Sequence, residues 1–336
     1  MRMEEIGRVD RGGMLAELLR FPERCEEALS LPVRVGRRRV AKVVLAGMGG
    51  SAIAGDLLRD WLDPPFPLEV CRGYHLPRWV GRDTLVVAVS YSGNTEETLS
   101  CLSEALGRRA EVVGISSGGR LEERCLEKRI PHVKVPGGMM PRVALPFLFF
   151  TSLNVLRAKG LVRVGRKELE EALEALKGLR RRISPAVGGN PAEEAAERLK
   201  GTLPFIYAPA ELAGAALRLK TQLNENSKVP AKVELLPELC HNEIVGLRSS
   251  PEPVSFVLLH SGEEDRRMGA RMEFVRELLR GRRVVELVGE GRGRLARLLT
   301  LVYLGDFLSF YLAVKRGVDP TPVPEIEELK RRLSQL

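Results

Sequence analysis

The sequence predicts an α/β protein made of two halves, each a mainly parallel sheet flanked by helices. Three observations lead to this fold class. Short apolar runs alternate with helical patterns from residue 43 onward, and the alternation restarts after a stretch containing Gly and Arg at 160–166. The chain has 336 residues, which is about the length of two ordinary domains. We therefore expect an N-terminal arm and a first domain over 1–160, and a second domain over 161–336.

In the first half, a helical arm precedes four apolar runs that are typical of buried strands. Helical patterns follow these runs, as expected for a parallel sheet. The predicted strands are 43–46, 85–89, 112–115 and 132–135. One predicted helix ends at about residue 61, and the others cover 96–106, 121–128 and 147–156.

The second half repeats this order, although no strong sequence repeat relates the two halves. One helix has apolar residues at 212, 216, 219 and 223, the spacing of a single helical face. The predicted strands are 205–207, 254–259 and 284–287, and the predicted helices are 168–182, 192–200, 212–223, 265–279, 295–315 and 325–333.

The charge of the chain bears on its partners. Lys and Arg number 53 against 44 Asp and Glu, a formal net charge of +9. The basic residues are spread along the chain, and runs such as 37–39 and 180–182 lack interleaved aromatic residues. No helix-turn-helix, zinc-finger or RNA-recognition pattern is present. We expect solvated surfaces that attract anionic substrates, and no nucleic-acid partner.

Cysteine use and the apolar segments bear on compartment. The five Cys form no Cys-x-x-Cys pair and there are four His, so we expect neither a disulfide scaffold nor a metal site. The first 20 residues are charged and lack a signal core, which predicts a cytoplasmic protein. The apolar run from Arg297 to Lys315 is interrupted by Gly305, Asp306 and Ser309. A buried helix or a subunit interface is therefore expected there, and no membrane span.

The first glycine-rich loop, at residues 47–52, follows the first predicted strand and fits G-x-G-x-x-A. This pattern alone is a weak indication of a dinucleotide site. The acidic residue that would support it is Glu69, which is not placed at the end of a predicted strand. No Gly-Lys-Ser/Thr follows, so the loop is not a P-loop. A tight turn without a ligand is the alternative.

The second loop places the hydroxyls of Ser90, Ser92 and Thr95 at the start of a predicted helix. Hydroxyls and free backbone N–H groups at a helix N-terminus bind a phosphomonoester. Helix capping by Asn94 or Thr95 is the alternative, but one cap needs a single side chain. The sequence therefore predicts a phosphate site here.

A third polar cluster lies in the second half. The chain has only two Gln and six Asn, and one Gln and three Asn fall between 222 and 242. Glu225 ends an amphipathic helix in this stretch, and His241 follows. Together they would serve as a general acid–base pair. A solvated helix end and a structural histidine are the alternatives.

Taken together, five segments resemble the bifunctional phosphoglucose/phosphomannose isomerases, members of the phosphoglucose isomerase superfamily built from two sugar-isomerase (SIS) domains. The segments are GMGGSAIAGD at 47–56, SYSGNTEETL at 90–99, NENSKVPA at 224–231, CHNEIVG at 240–246 and RGVDP at 316–320. The resemblance implies two SIS-type three-layer domains.

The resemblance also implies roles for individual residues. Glu225 would be the base that moves a proton, and Arg142 would stabilise the enediolate intermediate. The phosphate of a hexose 6-phosphate would be held by Gly49, Gly50, Ser51, Ser90, Ser92 and Thr95.

Ring opening and epimer acceptance are implied for other positions. His241 would assist ring opening from the neighbouring subunit of a homodimer. The family's C-terminal lysine falls on Lys330, with Lys315 as the alternative, and its threonine for the mannose epimer falls on Thr321 or Val323.

The implied activity is reversible isomerisation of glucose 6-phosphate and fructose 6-phosphate, and of mannose 6-phosphate, with no cofactor. Acid–base groups and a fixed cation suit this chemistry without a metal or a nicotinamide. The alternatives are a non-catalytic sugar-phosphate sensor and an NAD-dependent dehydrogenase. A glucosamine-6-phosphate synthase would need a glutaminase domain, for which residues 1–40 are too few.

Overall fold

Two parallel sheets, one from each half of the chain, form the framework of the protein. The computed structural model describes residues 1–185, 187–250, 253–333 and 335. The first sheet has the strand order β2-β1-β3-β4-β5 and the second has β7-β6-β8-β9, so four strands occur in the same order in both. The strands are β1 (Lys42–Ala46), β2 (Leu68–Cys71), β3 (Thr84–Val89), β4 (Glu111–Ser116), β5 (His132–Lys134), β6 (Leu203–Pro209), β7 (Lys232–Leu236), β8 (Val254–His260) and β9 (Arg283–Val288).

Helices cover the faces of both sheets, as expected where strands are joined by right-handed crossovers. They are α1 (Met3–Val9), α2 (Met14–Leu19), α3 (Phe21–Leu29), α4 (Gly49–Leu62), α5 (Glu96–Gly107), α6 (Gly119–Glu127), α7 (Leu145–Ala158), α8 (Arg166–Ile183), α9 (Pro191–Leu199), α10 (Ala213–Glu225), α11 (Arg266–Leu278), α12 (Arg294–Lys315) and α13 (Pro324–Leu333). The strands and helices predicted for both halves are present.

The sequence prediction misses two strands, β2 and β7. Both lie at an edge of their sheet, next to its first strand. Each is short and only partly buried, whereas all six residues of β3 are buried. A half-exposed edge strand lacks the continuous apolar run by which a central parallel strand is recognised. Glu69 lies within β2, at an exposed position, and not at the end of the strand.

Helix α12 is the central element of the core. It is long and apolar enough to cross a membrane, yet 94% of its 18-residue apolar stretch is buried inside the fold. It packs against α8, α9 and α10. This burial confirms the prediction of a buried helix.

The two halves share one hydrophobic core. A single cluster of buried side chains includes residues of α4 and α7 from the first half and of α8, α10 and α12 from the second. Helix α8 also packs against α3 of the N-terminal arm. The division at residue 160 stays a prediction, and it falls in the connection between α7 and α8.

Candidate active site

Two helix N-termini meet at the carboxyl edge of the first sheet. Strands β1 and β3 are paired in parallel, so the loops that follow them lie side by side. These loops lead into α4 and α5. A Cβ atom on Gly47 would lie 2.8 Å from the carbonyl oxygen of Val89, so the close approach of the loops requires glycine there. The arrangement concentrates free N–H groups at one point, as anion sites do.

The hydroxyls of the second loop are joined to each other and to the first loop. Ser90 Oγ and Thr95 Oγ1 are 2.8 Å apart, and Ser90 Oγ also accepts from the Gly93 N–H at 3.1 Å. Ser51 Oγ accepts from the Tyr91 N–H at 3.4 Å. Thr95 directly precedes α5, but its hydroxyl bonds Ser90 and so serves the loop more than the helix end. Ser92, by contrast, is exposed.

Arg142 and Glu225 come together beside this loop region. Arg142 lies in a 3-10 turn before α7, and Glu225 is the last residue of α10. Arg142 Nη1 is 3.7 Å from Glu225 Oε2. A Cβ on Gly50, in the first turn of α4, would lie 3.9 Å from the Cα of Arg142. The structure therefore brings the Glu225 carboxylate, the Arg142 guanidinium and the start of α4 to one place.

The guanidinium of Arg142 is held by several fixed acceptors. Its Nε donates to Asn226 Oδ1 at 2.7 Å. Its Nη2 donates to the carbonyl oxygens of Pro320 and Thr321, at 2.6 and 2.7 Å. A planar guanidinium bound on two edges has a fixed orientation, so the remaining Nη1 points reproducibly toward Glu225.

Burial separates the roles of these two side chains. The Arg142 side chain is 4% exposed and that of Glu225 is 28% exposed. Burial lowers the pKa of Arg142 below its ordinary value, and the Glu225 carboxylate opposes this shift. Arginine stays protonated at any working pH. Arg142 is thus a fixed cation, while the carboxylate remains open to a ligand.

A buried ion pair that the sequence analysis did not identify lies next to Arg142 and bonds its backbone. Arg218 of α10 donates from Nε and Nη2 to the two oxygens of Asp306 on α12, both at 2.9 Å. Its Nη2 also donates to the Arg142 carbonyl oxygen at 2.6 Å. Burial raises the pKa of Asp306, and Arg218 opposes that shift. The signal was present in the sequence, because a lone Asp inside an apolar helix requires a buried cation.

The end of α10 is anchored to α12 as well. Asn226 Nδ2 donates to Ser309 Oγ at 2.9 Å, and Ser227 Oγ donates to the Ser309 carbonyl at 2.6 Å. Both Asn226 and Ser227 are fully buried. Within the polar cluster predicted from the amide content, Asn226 and Ser227 therefore have structural roles, and they place Glu225 at the edge of a buried hydrogen-bond network.

Glu225 and His241 lie on opposite faces of the second sheet. Helix α10 packs on the face that carries Ile206 and Ala208. The 3-10 turn Glu238–His241 packs through Leu239 on the face that carries Tyr207. His241 is exposed, and the described contacts include none between it and Glu225. An acid–base pair within one chain is therefore not formed.

Neither candidate lysine has a contact with Arg142 or Glu225 among the described residues. Lys330 is an exposed residue of α13, and the described part of the chain gives it no hydrogen bond or ion pair. Lys315 is 3.3 Å from Glu193 and 2.8 Å from Glu197, both on α9. These ion pairs make Lys315 a structural residue.

The C-terminal segment places Thr321 against the N-terminal arm. A Cβ on Gly12 would lie 2.2 Å from Thr321 Oγ1, so this side chain faces Gly12. Its carbonyl is one of the two that accept from Arg142. Thr321 and Val323 are the two positions considered for epimer acceptance. The contact with Gly12 is made by the side chain of Thr321 and not by that of Val323.

Metal binding is not indicated by the geometry. Within the described residues, no group of three or more His, Cys, Asp or Glu side chains is arranged to hold a metal ion.

Comparison with known proteins identifies the family. The family described as "Bacterial phospho-glucose isomerase C-terminal SIS domain" matches residues 189–333. A bifunctional phosphoglucose/phosphomannose isomerase from Caldicellulosiruptor bescii is 38% identical over 337 residues, covering 96% of this chain and 99% of the relative. The corresponding protein of Aquifex aeolicus is 39% identical over 302 residues, covering 87% and 90%.

A solved structure agrees with these relatives. The crystal structure of a glucose-6-phosphate isomerase like protein from Thermus thermophilus superposes with a TM-score of 0.66 at 25% identity. It covers 98% of this chain and 99% of that one. The predicted SIS-type α/β fold is thus confirmed, and the chain belongs to the family of bifunctional phosphoglucose/phosphomannose isomerases.

Proposed function

We propose that the protein interconverts glucose 6-phosphate, fructose 6-phosphate and mannose 6-phosphate. The observation that carries this proposal is the Glu225 carboxylate, which lies 3.7 Å from the buried Arg142, whose backbone is beside the start of α4. A base, a fixed cation and an anion site suit an aldose–ketose isomerase.

The substrate phosphate binds between the N-termini of α4 and α5. The hydroxyls of Ser51, Ser90, Ser92 and Thr95, with the N–H groups of Gly49 and Gly50, surround it. The dipoles of both helices favour the negative charge. Because the phosphate is far from the reacting carbons, it anchors the sugar without taking part in the reaction, and so presents C1 and C2 to the base.

Glu225 carries the proton between the two carbons. It removes the proton from C2 of the aldose, and the C–H electrons form the C1–C2 double bond while the C1 carbonyl oxygen becomes negative. Arg142 stabilises this cis-enediolate, in which an oxygen proton also shifts from O2 to O1. Glu225 then returns its proton to C1, giving the ketose. General-base help of this kind is worth roughly 10²–10⁴ in rate.

The closed sugar ring opens first, with help from His241 of the partner subunit and from Lys330. One observation supports a homodimer: His241 lies on the opposite face of the second sheet from its own Glu225. We place the reaction in the cytoplasm.

The test is incubation of the purified protein with fructose 6-phosphate in the presence of a chelator, with both aldose phosphates quantified separately. Both products are expected. Glucose 6-phosphate as the single product would retain the mechanism but exclude mannose 6-phosphate as a substrate. Val323→Thr would then be the variant to test. No product from folded protein would reject an enzyme, and binding of fructose 6-phosphate without turnover would then favour the sensor. A parallel titration with NADH tests the dehydrogenase, for which no binding is expected.

A further inference from the structure

Pro320, Thr321 and Pro322 are three successive residues before α13, and we call this segment the strap. Its backbone carbonyls accept hydrogen bonds from two cationic side chains. Arg142 donates to the carbonyls of Pro320 and Thr321. Lys228 Nζ donates to the carbonyl of Pro322 at 2.7 Å and lies 3.5 Å from that of Pro320. Each strap carbonyl therefore has a charged donor, which makes a stronger bond than a neutral one.

The ammonium of Lys228 also reaches the catalytic helix. Nζ donates to the backbone carbonyl of Glu225, which is one of the C-terminal carbonyls that a helix leaves without a partner. One side chain thus joins the residue proposed as the base to the strap. Lys228 does not reach the Glu225 carboxylate in the described contacts, so its link to the base runs through the backbone.

The backbone of Lys228 is in an unfavourable conformation for a lysine. Its φ is +56°, in the left-handed region that glycine adopts freely and other residues enter at a cost of about 1–2 kcal/mol. The position follows the end of α10, where glycine is the usual residue. Backbone geometry therefore favours glycine here, and the hydrogen bonds of the lysine side chain account for its presence.

The strap determines where the C-terminal helix begins. Val323 follows it directly, and the Ile326 N–H donates to the Val323 carbonyl at 3.0 Å in the first turn of the helical segment. On its other side, the strap is covered by Gly12, through Thr321. A shift of the strap would therefore move Val323 and the helix that carries Lys330 relative to Glu225.

We propose that Lys228 is a positioning residue for the isomerase reaction. By tying the strap to the end of α10, it sets the distance between the base and the C-terminal segment on the C1–C2 side of the substrate. The proposal rests on the proposed function. Misplacement of reacting groups by about 1 Å can cost 10²-fold in rate. The phosphate loops have no contact with Lys228 among the described residues, so substrate binding through the phosphate is preserved.

The test compares Lys228→Gly, Lys228→Met and Lys228→Arg with a matched control, Arg129→Gly. Arg129 also has a positive φ, +54°, just after a helix, and is exposed. Both Gly variants relieve the same backbone conformation, so neither is expected to unfold. We expect Lys228→Gly and Lys228→Met to lower kcat by about 10- to 100-fold, with KM within about threefold. Lys228→Arg should recover part of the loss, and Arg129→Gly should match the wild type.

The pH profile separates positioning from a charge effect. Loss of a nearby positive charge would move the acidic limb of the kcat profile to higher pH. Loss of position lowers kcat without moving that limb. A moved limb, a KM that rises as much as kcat falls, or a Lys228→Gly variant within twofold of the wild type would each overturn the proposal.

Hydrogen exchange supplies a readout that does not depend on turnover. The proposal expects faster exchange over residues 316–333 in Lys228→Gly than in the wild type, and no change in Arg129→Gly. Unchanged exchange in the Lys228 variant would overturn it. An inactive wild type would instead reject the proposed function, and the exchange data would still decide whether Lys228 holds the strap.

Discussion

Arg142 Nη1 lies 3.7 Å from Glu225 Oε2, and the two residues come from different halves of the chain. The pair is assembled by packing, because α10 of the second half lies along α4 of the first. At Gly214, a Cβ would come within 3.1 Å of Asp56 and 3.0 Å of Leu57 on α4, so glycine permits the contact. The position of the Glu225 carboxylate relative to the Arg142 guanidinium is thus a property of the interface between the halves.

Replacing Glu225 by Gln should abolish turnover while leaving affinity for fructose 6-phosphate within a few-fold. Gln keeps the shape and hydrogen-bonding capacity of the side chain but is not a base. We expect kcat to fall by about 10² or more. The measurement is kcat together with solvent deuterium incorporation at C1 and C2. Glu211→Gln, at an exposed position near the start of α10, is the control. Substantial residual exchange in Glu225→Gln would assign the base to another residue.

Replacing Ser90 by Ala should raise KM for fructose 6-phosphate by about tenfold or more, since a hydrogen bond to a charged group contributes about 1.5–3 kcal/mol. The variant also removes a partner of Thr95 Oγ1. Ser103→Ala is the matched control, because Ser103 lies on α5 at an exposed position and bonds the Leu99 carbonyl. Equal KM values in the two variants would be inconsistent with a phosphate site at this loop.

Replacing Arg142 by Lys should lower kcat by about 10²–10³, the effect of losing one donor to a developing oxyanion. A lysine cannot bond Asn226 and two strap carbonyls while also facing Glu225. Binding of a hydroxamate analogue of the enediolate should weaken in parallel, and binding of inorganic phosphate should not. If the analogue bound equally well, Arg142 would have no role in stabilising the intermediate.

Replacing Arg218 by Met should destabilise the protein by about 3–5 kcal/mol, because Asp306 is left as an unpaired buried charge. The side chains of this pair are only 2% and 1% exposed. Urea denaturation of both single variants and of the double variant, Arg218→Met with Asp306→Leu, gives the interaction free energy between the two side chains. The double variant should be more stable than Arg218→Met. Arg276→Met, which removes an exposed pair with Glu273, should show no measurable change. Additive effects at Arg218 and Asp306 would contradict the coupling.

Asp60 should make stability depend on pH between about 4 and 6. Burial raises the pKa of this carboxyl from 3.8 to about 6, and the hydrogen bond from the Gly214 N–H and the neighbouring Arg59 oppose the shift. An acid that binds its proton more tightly when folded stabilises the fold below pH 3.8, and this contribution is lost as pH rises through about 6. At 1.36 kcal/mol per tenfold change in proton affinity, the contribution is ~3 kcal/mol.

The measurement is the free energy of unfolding of the wild type and of Asp60→Asn across this pH range. The advantage of the wild type over the variant should shrink by ~3 kcal/mol in total, from well below pH 3.8 to well above pH 6. The Asn oxygen can still accept from Gly214, so the hydrogen bond is common to both proteins. A difference that is constant with pH would show that Asp60 has an ordinary pKa.

Local patterns in the sequence were sufficient for the α/β class and for the meeting of hydroxyls in the loop before α5. Strand β3 is a continuous apolar run because both of its faces are buried, and such runs are read directly from the sequence. The hydroxyls of Ser90 and Thr95 are five residues apart at a helix start, so their meeting is a local event. Edge strands β2 and β7 were missed because half of their surface faces solvent and leaves no such run.

The sequence by itself determined which residues have the chemistry to act, Glu225 and Arg142 among them, and the order of strands and loops that presents them. Only the tertiary structure decided that these two meet, that Arg218 bonds Asp306, and that Lys228 holds the strap. It also decided that His241 lies on the opposite face from its own Glu225. The physical reason is that these relationships depend on how helices of the two halves pack into one core. Local periodicity records the burial of each face, but it does not record which distant partner covers that face.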